Sequence, residues 1–229
     1  MSAQEKQSKK LQCYLCGAFD PKTRDHIPPR GFFPEPRPTN LITLPCCERC
    51  NNSCSKDDEA MRVWLSSGMG HTPAAEWIIE NKVFPGTFTR SPAFRSEVLS
   101  RMEDTIITNE DGEQIEAVKF SMNRERVESF VVRVAKGLQK TYFPNLDASR
   151  DTWRGLHVGT RLDDLAKIEP LRDGLPHYDY RGDGVIQYRF GFTKELSTGI
   201  WLLVFYGTAI FIVTHRREDR NKLSDIEGE

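Results

Sequence analysis

Apolar positions recur at helical spacing in three stretches of the chain and at strand spacing over its C-terminal third. Met61, Trp64 and Leu65 share one side of a helix predicted over residues 56–67, closed by the glycines of Gly68-Met-Gly70. A second helix is predicted from Pro73 to about Val83. Val127, Phe130, Val131, Val134 and Leu138 form the apolar face of a third, capped by Asn123 and running to about Tyr142. Residues 104–122 alternate around Asn109-Glu-Asp-Gly112, the pattern of a hairpin. From Gly184 onward, segments 185–192, 200–206 and 208–214 read as an antiparallel meander. Residues 145–183 are polar and loop-rich, with a short helix over 162–168.

Composition narrows this picture only slightly. The 229 residues allow one large domain or a small module with a larger body, and 38% hydrophobic content suffices for a core. A net charge of −1 excludes a global basic field. Residues 1–55, however, hold eight Lys and Arg against five Asp and Glu, so any polyanion should bind locally. The N-terminus, Met-Ser-Ala-Gln-Glu-Lys, carries no apolar signal region. The most apolar run, residues 200–213, is only fourteen long and is broken by Gly207-Thr208, too short to span a bilayer. The expectation is a cytoplasmic protein without a membrane partner.

The cysteines change the picture more. All six lie between Cys13 and Cys54. Cys13-Tyr-Leu-Cys16 and Cys47-Glu-Arg-Cys50 are two short pairs that can close one tetrahedral zinc site, each pair presenting two thiolates. Cys46 or Cys54 remains an alternative to one of them. Such a site can hold together a fold with little apolar core of its own. Between and beside the pairs stand Asp25-His26-Ile27-Pro28, Asn40-Leu41 and Asn51-Asn52. The Asp25 carboxylate and the Asn51 carboxamide oxygen suit a hard ion, Mg²⁺ or Mn²⁺, with positions open for phosphate and water. The lesser alternative for Asn51 is a helix-capping residue, and Asn52 can exchange roles with it.

In this order and register the residues resemble an HNH endonuclease of the zinc-ribbon type, with asparagine at the third signature position. The resemblance covers about a fifth of the chain. It implies a ββα-metal fold: a hairpin carrying Asp25, His26 and Asn40, packed on a short helix carrying Asn51. The prolines between 28 and 38 then make a stiff loop joining the two strands. The resemblance gives His26 the general-base role, with Asn40 holding its ring. It also implies products with 5′-phosphate and 3′-hydroxyl ends.

The expected fold class is therefore α+β. An N-terminal zinc-stabilised ββα-metal, treble-clef-like module occupies residues 11–60, after a disordered 1–10. A mixed helix and antiparallel-sheet region, 61–218, precedes a charged tail, 219–229. The function expected is DNA phosphodiester hydrolysis, with specificity or gating from the accessory region or a protein partner. Arg30 and Lys56 flank the motif and are candidate phosphate contacts. Arg126, Arg133 and Lys140, seven apart on one helix, form a stripe that can follow a nucleic-acid backbone, or a solvated face. The rival class is a catalytically silent zinc module that binds nucleic acid or protein, which would need none of Asp25-His26, Asn40 and Asn51.

Overall fold

A computed structural model describes residues 11–68, 72–108, 112–146, 151–159, 166, 168–193 and 197–217. The expectations for residues 1–10, the turn at 109–111, most of the helix over 162–168, and the tail 219–229 lie outside these residues.

The chain is a mixture of helices and antiparallel sheets. Strands β1, Thr23–Ile27, and β2, Ile42–Cys46, pair as a hairpin in which Asp25 faces Leu44, His26 faces Thr43 and Ile27 faces Ile42. Helix α1, Glu48–Ser66, follows at once, with Cys47 at its N-cap. It starts eight residues before the predicted position. Its first half, Glu-Arg-Cys-Asn-Asn-Ser-Cys-Ser-Lys-Asp-Asp, has no apolar stripe to betray the helical period; the buried residues, from Ala60 to Ser66, lie in its second half.

Helix α2, Pro73–Ile78, is capped by Thr72 Oγ1, which accepts from the Ala75 amide at 3.3 Å. It widens into a π-helical stretch, Ile79–Phe88, which contains Pro85. Helix α3, Pro92–Ser100, comes next, and then a hairpin of β3, Met102–Thr108, and β4, Gln114–Phe120. Helix α4, Arg124–Tyr142, has the expected cap: Asn123 Oδ1 accepts from the Arg126 amide at 3.0 Å. All five predicted apolar positions on α4 are buried. Gly137 is where α4 meets the first hairpin: a side-chain carbon there would lie 2.6 Å from the Ile27 side chain, so only glycine allows this approach without moving that side chain.

The remaining strands form one antiparallel sheet in the order β5-β9-β8-β7-β6. Its centre is the predicted meander: β7, Ile186–Phe192; β8, Thr198–Phe205; and β9, Ala209–Arg216. The outer strands, β5 (Thr152–Gly159) and β6 (His177–Arg181), fall in the segment that the sequence suggests is loop. As edge strands they bury little, only Trp153 being fully covered, so neither shows an apolar alternation. A short helix, Glu169–Gly174, precedes β6.

One hydrophobic cluster runs through both the motif segment and the rest of the chain. Phe32, in the 3-10 turn Arg30–Phe32, stacks on Phe130 of α4 with centroids 5.3 Å apart and lies 6.1 Å from Phe205 of β8. Ile27 and Ile42 of the first hairpin belong to the same cluster as Val134, Trp201 and Phe211. Residues 11–60 thus share their core with residues 61–218. Burial of the Phe32 ring alone is worth roughly 2–3 kcal/mol. Among the described residues, no helix is long and apolar enough to cross a membrane.

Candidate functional site

The first cysteine pair sits on a tight turn. The Gly17 amide donates to Cys13 O at 2.9 Å, Gly17 has a φ of 72°, and the Cys13 amide donates to Ala18 O at 2.8 Å. The Tyr14 amide donates to Pro45 O at 3.0 Å, which fastens this turn to β2 just before the second pair. The sulfur atoms of Cys13, Cys16, Cys47 and Cys50 consequently lie within 4.8 Å of one another and can hold a metal ion such as zinc. The Cys16 and Cys47 sulfurs are 3.7 Å apart, close to the ~3.8 Å edge of a tetrahedron with zinc–sulfur bonds of about 2.3 Å. Burial opposes a thiolate at Cys13, yet the amides of Cys47, Cys16 and Leu15 outweigh it and bring this thiol down to about 6. Cys46 and Cys54 are not in the group. Cys46 is fully buried at the end of β2, and burial pushes its thiol up.

A cavity of about 720 Å³ opens beside the hairpin. Asp25, His26 and Asn51 all line it. Neighbouring residues of an extended strand point to opposite faces, and here Asp25 is buried while His26 is half-buried. The cavity is nonetheless bordered by both residues. Burial, and after it the charge of Arg30, lowers the pKa of His26, which favours its neutral, proton-accepting ring.

Asn51 is oriented by a short polar chain. Thr23 Oγ1 donates to Cys46 O at 2.6 Å, so its oxygen accepts from Asn51 Nδ2 at 3.3 Å. The amide is thereby turned so that Oδ1 is the atom without a hydrogen bond among the described residues. Asp25 accepts at Oδ2 from Tyr14 Oη at 2.6 Å and from Arg133 Nη1 at 2.9 Å. Burial, with the Asp25 charge next, pushes the Tyr14 hydroxyl pKa up, so it stays a donor.

Sequence reasoning missed most of the cavity wall. Ser55, Asp58, Glu59 and Arg62 extend from Asn51 along one face of α1. Their spacing would have shown this had the helix been drawn back to residue 48. Arg24 flanks His26 on β1, and Arg37 comes from the proline-rich loop. Lys82 and Arg90, from the π-helical stretch and just beyond it, form the far side, and no motif marks them. Six Arg and Lys against three carboxylates leave this wall positive. Part of that charge is compensated: Arg90 lies 3.3 Å and Arg62 3.6 Å from Glu59, and Lys82 lies 3.9 Å from Glu35.

Of the candidate phosphate contacts, only Arg30 lines the cavity; Lys56 is exposed on α1 outside it. Asn40 does not line it either. It stands in the turn before β2, on a second cleft of about 430 Å³ with Pro36, Pro38, Tyr180 and Arg181. The stripe on α4 is not a solvent-facing row. Arg133 is buried and pairs with Asp25 and Asp58, because this side of α4 packs against β1 and α1 rather than facing water. Arg126 pairs with Asp57 at 2.9 Å, and half-buried Lys140 donates to Pro144 O at 2.8 Å.

Comparison with known proteins finds no matching family model, no matching curated protein and no matching solved structure.

Proposed function

We propose that the protein is a metal-dependent endonuclease of the HNH kind, hydrolysing phosphodiester bonds of DNA in the cavity beside β1. The observation that carries this reading is the meeting of Asp25, His26 and Asn51 on one positively charged wall. The order hairpin then helix, with cysteine pairs at the two ends of the hairpin, is what a zinc-stabilised ββα-metal module requires. Zinc in the four-cysteine group has a structural role, fixing the start of α1 and therefore Asn51.

The chemistry divides among few groups. Asp25 and Asn51 fit a hard divalent ion, since both offer carboxyl or amide oxygen and Asn51 Oδ1 is free for it. Bound there, Mg²⁺ or Mn²⁺ supplies positive charge to the scissile phosphate and the departing 3′ oxygen. His26 accepts the proton of the attacking water, its ring held neutral by burial and by Arg30. Arg24 and Arg30 stand two residues before and four after it and hold phosphate oxygens. Asn40 is left out of this scheme, because it lies on the second cleft, beside Pro36 and Pro38, and not on the cavity wall.

The test is plasmid nicking by the full-length protein. Mild EDTA should abolish cleavage while zinc is retained, and Mg²⁺ or Mn²⁺ should restore it. Cleavage indifferent to removal of exchangeable ions would overturn the proposal.

A further inference from the structure

Two donors from remote parts of the chain converge on one oxygen of the site. Asp25 Oδ2 accepts from Tyr14 Oη at 2.6 Å and from Arg133 Nη1 at 2.9 Å. Tyr14 lies inside the first cysteine knuckle, and Arg133 is on α4, far outside the motif segment. The second guanidinium nitrogen of Arg133 pairs with Asp58, so one rigid fork spans β1 and α1 from behind the cavity. The side chains of Arg133 and Asp25 are each only 7% exposed, so water does not loosen the contact. Two donors on Oδ2 fix the rotation of the carboxylate. They leave Oδ1 without a hydrogen bond among the described residues.

We propose that Tyr14 and Arg133 are positioning residues for the divalent-ion site, presenting Asp25 Oδ1 to a hard cation shared with Asn51. The inference rests on the nuclease reading above. A guanidinium beside a cation site is repulsive in itself. Here its charge is divided between two carboxylates, Asp25 and Asp58, so the three groups together do not add to the positive charge of the wall. Ligating carboxylates depend on such partners for orientation, and losing a partner weakens metal affinity by about 10- to 100-fold. The site is then assembled by the whole fold. The zinc knuckle supplies Tyr14, the hairpin Asp25, α1 Asn51 and Asp58, and α4 Arg133. Residues 11–60 alone would lack the fork.

The test measures Mn²⁺ binding directly, by the loss of the free aquo-ion signal in electron paramagnetic resonance, on the full chain well below its melting temperature. Tyr14→Phe and Arg133→Lys should each weaken Mn²⁺ binding by about 10- to 100-fold with zinc content unchanged. A purely structural role would lower the melting temperature and leave Mn²⁺ affinity unmoved. Affinities of both variants within about twofold of wild type would overturn the inference. If Arg133→Lys fails to fold, Tyr14→Phe, which deletes one hydroxyl, decides alone. Asp25→Ala separates the two levels. Should it leave Mn²⁺ binding intact, the assignment of the ion site fails. Should it abolish binding while Tyr14→Phe and Arg133→Lys do not weaken it, only the positioning inference fails.

Discussion

Tyr206 Oη donates a 2.8 Å hydrogen bond to the carbonyl of Phe32, joining the end of β8 to the turn that follows His26. Both residues are fully buried, Tyr206 1% and Phe32 0% exposed, and they are 174 positions apart in sequence. The C-terminal sheet therefore grips the loop beside the cavity through a polar contact as well as through the Phe32, Phe130 and Phe205 rings.

Tyr206→Phe keeps the ring and strands the Phe32 carbonyl in an apolar core. A buried acceptor left unsatisfied costs about 1–3 kcal/mol, so the urea midpoint should fall by that equivalent with its slope unchanged. An unchanged midpoint would mean that the bond contributes nothing net.

Zinc should copurify at about one ion per chain. Cys50→Ser should melt the knuckle and loosen the first turns of α1, because metal binding supplies most of the folding free energy of so small a polar segment. Metal analysis of natively purified protein, paired with thermal melting of the variant, checks both points. A folded sample without zinc would contradict them.

Asp179 gives a pH signature remote from the cavity. Burial opposes its ionised form, but Arg181, the Tyr142 hydroxyl, the Tyr180 amide and the Tyr188 hydroxyl outweigh it, bringing the carboxyl from 3.8 to about 2. A carboxyl depressed in the folded state stabilises above its unfolded pKa, and that contribution is lost as pH falls from about 4 towards 2. Asp179→Asn should therefore be less stable than wild type by about 1 kcal/mol at pH 7, solvent screening reducing the effect of a side chain 30% exposed. The gap should hold from neutral pH to about 5 and close below 4. Denaturation midpoints of both proteins across that range measure it; a gap that widens in acid would refute the assignment.

The sequence made some of this legible because some signals are local. The four cysteines need only their spacing, and the α4 period shows in Val127, Phe130, Val131, Val134 and Leu138. The meander shows because its central strands bury one residue after another, as Trp201, Leu202 and Leu203 do. Other features are set by tertiary placement. β5 and β6 are edge strands whose polar residues match a loop as well as a strand. The inward turn of Arg133 depends on Asp25 and Asp58, 108 and 75 positions away, so its charge alone suggests a solvent-facing row. Lys82 lies in, and Arg90 just beyond, a π-helical stretch for which the sequence offers no period, so neither is marked as a wall residue. Asn40 stands apart from His26 because β2 begins two residues later, at Ile42.

The central claim is that His26 is the base of a phosphodiester hydrolysis. The most direct measurement compares cleavage and DNA binding by His26→Ala and wild type, with saturating Mn²⁺ and matched zinc content. Cleavage should fall by roughly two to four orders of magnitude, the range for a lost general base. On the proposed assignment DNA affinity should hold, because Arg24, Arg30 and the ion, rather than His26, would contact the phosphate. Undiminished cleavage by His26→Ala, or loss of DNA binding in step with cleavage, would contradict it.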